Sequence, residues 1–376
     1  MNARQGNLRW RLLTTVCAAS LLVASAPGNA AQDSDRPTVW VELGGQLEMM
    51  QGTDERYAPD FTLANLNKPL NAQSPLTAQK PPHFGFGGEG KISFEPQGSD
   101  WVFSAAVRYG RSNGKRSLHQ QTSTSFLQKT FLYGQPKFKY PSQLYHGIAT
   151  ATLTRFNHAE AAYSSSHAIV DFKAGRDVGL GLFAKGGTST FSFGVRIAQL
   201  HNHSNVAFKS FPDPAVPNPA ANVSSPLYHH HSYFATGTFS RNFRGVGPSL
   251  SWDATAPLVG NHDAGELTFD WGINVAALFG KQTVTGNHET RSLYFIGRPT
   301  MISEVNSVPI NRSRTVFVPN AGGTAGISVR YPNAKLTLGY RADFFFGAMD
   351  GGVDARKSET RGFYGPFATV SMGFGG

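Results

Sequence analysis

The chain has 376 residues, of which 40% are hydrophobic and 15% charged, with 41 glycines, one cysteine and a formal net charge of +10. A single cysteine excludes an internal disulfide framework, and no stretch beyond the first 30 residues approaches the ~20 apolar residues of a membrane helix. The positive charge is scattered, with neither a phosphate-gripping loop nor an arginine–aromatic platform, so nucleic acid is not expected as a partner.

Residues 1–30 read as a secretory signal peptide. Arg4, Arg9 and Arg11 form a basic leader, residues 12–24 are an apolar run too short to span comfortably, and Gly28 and Ala30 are small residues before a cut ahead of Ala31. Cleavage would remove Cys17 and those three arginines, lowering the formal charge from +10 to +7. The remainder, residues 31–376, then has to explain itself without thiol chemistry.

Strict alternation of apolar and polar residues runs through that remainder. A strand turns successive side chains to opposite faces, so period two gives one oily and one polar face. Residues 38–49 put Val39, Val41, Leu43 and Leu47 on one face, and Trp40, Glu42, Gln46 and Glu48 on the other. Residues 50–82, rich in Asn, Pro, Gln and Ala, read as a long loop. Residues 83–94 alternate again, with Phe84, Phe86, Ile92 and Phe94 opposite Glu89, Lys91 and Ser93. A turn at Pro96-Gln97-Gly98-Ser99-Asp100 leads to Trp101, Phe103, Ala105, Val107 and Tyr109, opposed by Ser104, Ala106 and Arg108.

Residues 112–165 show no clear period and read as a long basic loop, able to fold into a lumen as a plug or to cover the surface, with a short extra strand conceivable at residues 151–156. Val170, Phe172 and Ala174 then oppose Asp171, Lys173 and Asp177. Phe191, Phe193, Val195 and Ile197 oppose Ser192, Gly194 and Arg196. A loop rich in Pro, Asn and His spans residues 201–231. In residues 232–256 the apolar parity flips at Arg244-Gly245-Val246-Gly247-Pro248, which fits one strand interrupted by a β-bulge or a tight hairpin, an even strand number favouring the bulge.

Residues 266–279, ELTFDWGINVAALF, are the longest clean alternation. Leu267, Phe269, Trp271, Ile273, Val275 and Phe279 share one face; Glu266, Thr268, Asp270 and Asn274 share the other. Fourteen residues exceed the roughly nine to eleven of a tilted transmembrane strand. An outer loop is expected over residues 281–318. Ile327, Val329 and Tyr331 then oppose Ser328 and Arg330, Pro332-Asn333 turns the chain, and Leu336, Leu338, Tyr340, Phe344 and Phe346 oppose Thr337, Arg341 and Asp343. A loop at residues 347–361 precedes the last strand, with Tyr364, Val370, Met372 and Phe374 outward.

The fold class expected is all-β, a transmembrane antiparallel up-and-down β-barrel of about ten strands, eight to twelve being compatible, with short periplasmic turns and long outer loops. The expected location is the outer membrane. Aromatic belt candidates are Trp40, Tyr109, Trp252, Tyr331 and Tyr364, although Trp40 falls on the polar parity. A soluble β-sandwich is the alternative, disfavoured because its strands are shorter.

Three glycine-led segments, Gly175-Arg176-Asp177-Val178-Gly179-Leu180-Gly181, Phe243-Arg244-Gly245-Val246-Gly247-Pro248 and Gly339-Tyr340-Arg341-Ala342-Asp343-Phe344-Phe345-Phe346, resemble segments of the Legionella-type major outer-membrane proteins, a pore-forming barrel family. The likeness covers most of the mature chain in layout. It implies an outer-membrane barrel serving as a diffusion pore and carries over no catalytic residue. Two features depart from it. Barrel precursors usually finish on an aromatic residue, whereas Phe374 is followed by Gly375 and Gly376. That family is also thought of as disulfide-linked, whereas the mature chain lacks cysteine.

The polar parity supplies the lumen-lining candidates Glu42, Glu89, Lys91, Arg108, Asp171, Lys173, Arg196, Glu266, Asp270, Arg330, Arg341 and Asp343. Charges of both signs either pair across strands and fill the lumen or line water and set ion preference. The arginines Arg196, Arg330 and Arg341 are the expected partners of Glu266 and Asp270. Ten strands leave little width, so a narrow pore for small solutes or ions is the first functional reading. A structural or adhesive surface barrel with a closed lumen is the second. A barrel hydrolase is third, built from His158 or His167 with Ser164, Ser165, Ser166 and Asp171. No cofactor and no firm metal site are expected; His201, His203, His229, His230 and His231 are weak metal candidates, because adjacent residues on an extended chain point opposite ways. The expected partners are outer-membrane lipid, lipopolysaccharide phosphates and the barrel-assembly machinery, with a homo-oligomer also compatible.

Overall fold

A computed structural model describes residues 38–52, 84–129, 148–178, 187–211, 229–261, 264–296, 300–352 and 355–375. The leader at residues 1–30 and nearly all of the 50–82 segment lie outside the described residues. Ten strands follow in chain order: β1 (Val39–Gly52), β2 (Phe84–Phe94), β3 (Trp101–Lys129), β4 (Ile148–Asp177), β5 (Thr188–Phe211), β6 (His229–Asn261), β7 (Gly265–Ile296), β8 (Thr300–Tyr331), β9 (Ala334–Asp350) and β10 (Ser358–Phe374). Each pairs antiparallel with its neighbours in sequence, and β1 pairs with β10 to close the barrel. Closure leaves no free edge at the level of the shortest strands, as a hydrocarbon environment demands. No described helix is long and apolar enough to cross a membrane; the crossing is made by strands.

The strands fall into two lengths. β1, β2, β9 and β10 have 11 to 17 residues, while β3 to β8 have 24 to 33. At about 3.3 Å per residue a 32-residue strand runs ~105 Å, whereas crossing ~30 Å of hydrocarbon at a 45° tilt needs ~42 Å. Six strands therefore continue far past the membrane as a tall wall. This corrects the loop reading for the described parts of residues 112–165, 201–231 and 281–318. Residues 112–129 and 148–165 form the paired upper halves of β3 and β4, residues 151–156 belong to β4 rather than to an extra strand, residues 201–211 and 229–231 belong to β5 and β6, and residues 281–296 and 300–318 to β7 and β8; residues 130–147, 212–228 and 297–299 lie outside the described residues.

The physical reason is an inversion of polarity along each tall strand. Near the short turns the outward residues are apolar and exposed: Phe191, Phe193, Val195 and Ile197 on β5; Phe269, Ile273, Val275 and Phe279 on β7; Phe317, Ile327 and Val329 on β8. Higher up, the outward residues are polar, as with Gln199, Asn205, Lys281 and Thr285. There the buried inward positions turn apolar instead: Leu200, Phe239, Phe243, Leu278, Val284 and Val318. A barrel wall in lipid is oily outside, and the same wall in water is oily inside. Alternation persists, but the oily residues change parity at the membrane boundary.

That boundary also accounts for the parity flip in β6. Its register with β7 is constant from His229 to Pro257, skipping only the pairs at Gly247 and Pro248, so the expected bulge at Arg244–Pro248 is absent; the one register shift lies at Pro257/Val259. Val246, Leu250 and Trp252 face lipid below, and Phe239 and Phe243 face the interior above. β6 is nonetheless one strand and the count is ten. Trp40 lies on the inward parity of β1, whereas Tyr109 and Tyr331 are exposed on the outside.

Candidate functional site

The site that decides what this barrel does is its lumen. At the short-turn end the inward side chains are polar and partly open. Lys91 is exposed to the lumen, Ser371 donates to Glu42 at 3.0 Å, and Lys173 donates to Ser251 at 3.1 Å. Asp270 on β7 pairs with Lys335 at 2.7 Å and accepts from Thr255 at 2.7 Å and from Ser328. Of its expected arginine partners, Arg196 and Arg341 pair with Asp171 and Glu89 instead. Glu266 and Arg330 are register partners near the turns, both half-buried.

Above this vestibule the charges close across the barrel. Arg196 on β5 grips Asp171 on β4 through two hydrogen bonds, at 2.7 and 2.9 Å. The same guanidinium reaches Asn274 on β7 at 2.7 Å, Asn320 on β8, and Asp343 on β9 at 3.8 Å. Arg108 on β3 holds the other oxygen of Asp343 at 2.5 Å. Beside them Arg341 forks onto Glu89, one contact being 2.9 Å, and stacks over Phe367 at 4.6 Å. Forked arginine–carboxylate pairs fix geometry as well as charge. Arg196 is 1% exposed and Asp343 2%, so water is excluded at this level. Residues far apart in the chain meet because the barrel radius brings facing walls within one arginine's reach.

Directly above lies an apolar layer. Met50, Ile169, Ala198, Leu200, Phe243, Ala276, Leu278, Val318, Phe345, Ala348, Met349 and Phe363 form one buried cluster drawn from eight strands. Glu48 and His167 meet at its edge, 3.5 Å apart and both buried, with the imidazole against Phe363. Gly110 stands opposite His167, where any Cβ would collide with Glu48 and with that ring, so a glycine is needed to seat the pair.

The third closure is the tip of the β9–β10 hairpin. Gly347 takes φ of 67°, a left-handed conformation that glycine adopts freely. The register shifts between Glu359 and Arg361, and Ala348, Met349 and Asp350 are buried in succession. The tip is clasped by the taller wall. Gln282 donates to the Gly347 carbonyl at 2.6 Å, and Arg312 donates to Asp350 at 3.1 Å and to the Gly352 carbonyl at 2.8 Å. Asp350 also accepts from the backbone N–H groups of Gly352 and Lys357. This corrects the expected outer loop at residues 347–361: residues 347–350 end β9 and residues 358–361 begin β10, with Ala348, Met349 and Asp350 buried.

Of the twelve lumen candidates, Arg108, Asp171, Arg196 and Asp343 share one network, Glu89 and Arg341 lie next to it, and Glu42, Lys91, Lys173, Glu266, Asp270 and Arg330 lie toward the short turns. His201 and His203 are on β5 rather than in a loop, on its outward face, with His201 2.5 Å from Asn242. His229, His230 and His231 lie at the start of β6. Among the described residues no three potential ligands gather at metal spacing. The hydrolase set is not assembled: Ser165, His167 and Asp171 face inward on β4, Ser164 and Ser166 fall on the opposite parity, and Ser165 is bonded to Asn202 at 2.9 Å.

Outside, the wall carries a cavity of about 590 Å³. Its floor follows one row across five strands, Lys115–Ala162–Asn205–Thr238–Asn287, with Glu160 and Glu289 in the row above. Its lining mixes small apolar residues (Ala162, Ala207), polar ones (Asn205, Thr238, Asn287) and charged ones (Lys115, Glu160, Glu289).

Fold and site together define a closed, ten-stranded, membrane-spanning barrel with a filled lumen and a tall outer wall. No protein-family model matches the chain, and no curated protein does. Among solved structures it is similar to a deletion mutant of the TodX monoaromatic hydrocarbon channel (9% identity, 92% of this chain and 91% of that one, TM-score 0.22). It is also similar to the transport unit of the autotransporter AIDA-I from Escherichia coli (8%, 96% and 97%, 0.22) and to the Ralstonia pickettii toluene transporter TbuX (12%, 90% and 90%, 0.15). At these scores the likenesses carry no argument about cargo.

Proposed function

We propose that this protein is an outer-membrane surface barrel whose lumen is sealed and whose work is done by the tall wall it holds above the membrane, as a structural or adhesive element. The observation that carries the reading is the double closure of the lumen: the buried Arg196–Asp171–Asp343–Arg108 network and the apolar layer around Phe243 directly above it. The encircling apolar band and the signal-like leader support the outer membrane as its location. The mixed polar and apolar groove on the wall, about 590 Å³, is of ligand-binding size.

The test is conductance of the folded, heat-modifiable protein in planar bilayers. A silent membrane is expected; steady open steps from the unmodified protein would sink the sealed-lumen reading. The second reading is a narrow pore, gated rather than standing open. It is favoured by the lumen-exposed Lys91 below and by the polar clasp of the hairpin tip above. Conductance that appears only when Asp350→Ala releases that clasp would select it.

A further inference from the structure

The polarity inversion fixes the membrane boundary to within one residue pair on the β5–β8 face, and an unusual arrangement sits just above it. The last lipid-facing row reads Ile197–Val246–Phe279–Phe317 across four strands, all four exposed, with Phe279 and Phe317 rings 5.3 Å apart. The next outward row reads Gln199–Arg244–Lys281–Thr315. Arg244 and Lys281 are thus direct cross-strand partners, both outward and exposed. Like charges directly opposite one another destabilise a sheet. Neither has an acidic partner among the described residues, whereas Arg176, Arg196 and Arg341 are each paired with a carboxylate.

We infer that Arg244 and Lys281 form a site for the phosphate of a phosphorylated glycolipid headgroup whose acyl chains lie on the apolar row beneath. An anion between the two cations turns the mutual repulsion into two charge-assisted contacts. Gln199 and Thr315 flank the pair in the same row and offer hydrogen bonds to further headgroup oxygens or hydroxyls. The apolar row below is continuous with the lipid-facing band, so the surface matches an amphiphile oriented as in an outer leaflet. The inference rests on the membrane-boundary assignment and is independent of whether the lumen conducts.

The test uses the full-length folded protein in phosphatidylcholine vesicles containing a fluorescent lipid A, either phosphorylated or enzymatically dephosphorylated. Annular enrichment is read by energy transfer from the tryptophans. The expected result is about tenfold preference for the phosphorylated form. That preference is lost in Arg244→Gln/Lys281→Gln, kept in the charge-preserving Arg244→Lys/Lys281→Arg, and kept in Lys209→Gln/Arg356→Gln, which removes two exposed cations elsewhere. Equal enrichment of both lipid forms, or full preference remaining in the double glutamine variant, overturns the site. Inorganic phosphate displacing the lipid at millimolar concentration assigns the pair to free phosphate and overturns the lipid assignment. Vesicle insertion of each variant, checked by protease protection and heat-modifiability, tests the membrane boundary separately.

Discussion

Replacing Arg196 by methionine tests the sealed lumen at its most buried charge. Methionine keeps length and apolar bulk while removing the guanidinium. Asp171 then loses both of its arginine contacts, at 2.7 and 2.9 Å, in a position that is 8% exposed. Asp343 loses only a 3.8 Å partner and keeps Arg108 at 2.5 Å. Asn274 and Asn320 each lose a donor. The penalty therefore falls mainly on one stranded carboxylate. Breaking a buried pair by removing one partner costs about 3–5 kcal/mol, whereas the same pair in water is worth about 0–1 kcal/mol. The assay is urea unfolding of vesicle-reconstituted protein, followed by tryptophan fluorescence and by the gel-mobility shift of the folded barrel. The expected loss is about 3–5 kcal/mol, most of it recovered when Asp171→Asn is added, since a neutral pair leaves no stranded charge. A loss below about 1 kcal/mol, unchanged by Asp171→Asn, would mean that water screens this level and that the lumen is open there.

Phe243→Ala removes the fully buried ring of the apolar layer and is expected to cost about 3–5 kcal/mol in the same unfolding assay. Ile273→Arg, outward in the middle of the apolar band on β7, is expected to cost about 2–4 kcal/mol in vesicles; Thr285→Arg, outward on the same strand above the band, is expected to fall within about 0.5 kcal/mol of the parent. Equal costs for the two would place the boundary elsewhere. Asp350→Ala removes the carboxylate that ties the hairpin tip to Arg312 and to two backbone N–H groups, so amide exchange over residues 347–359 is expected to accelerate while the β6–β7 amides stay protected. Gly347→Val forces a β-branched residue to φ near 67° and is expected to destabilise by more than 1 kcal/mol, read by urea unfolding.

Local alternation is enough to place the membrane crossing of each strand. Alternation in residues 266–279 or 336–346 follows from two environments on the two faces of a strand, and that signal is local. It locates ten crossings, the outward band and the inward parity of Glu89, Arg108, Asp171, Arg196, Arg341 and Asp343. It loses the upper halves of β3 to β8 because polar residues there face water on the outside, and the apolar ones, such as Leu200 and Phe243, sit on the parity that was polar below. A reading that keeps one parity apolar sees the pattern dissolve and assigns a loop, or a bulge as at Val246.

Which residues pair across the barrel, and whether its lumen is filled, follow from the packed wall and not from any local pattern. Arg196 meets Asn320, 124 positions away, and Arg341 meets Glu89, 252 positions away. Such partners are chosen by strand register and barrel radius, quantities that no local pattern encodes. The same holds for the seal. Met50, Phe243, Phe345 and Phe363 each look like one apolar residue on an ordinary strand, and they become a plug because a ten-stranded wall curves tightly enough for their side chains to touch across it.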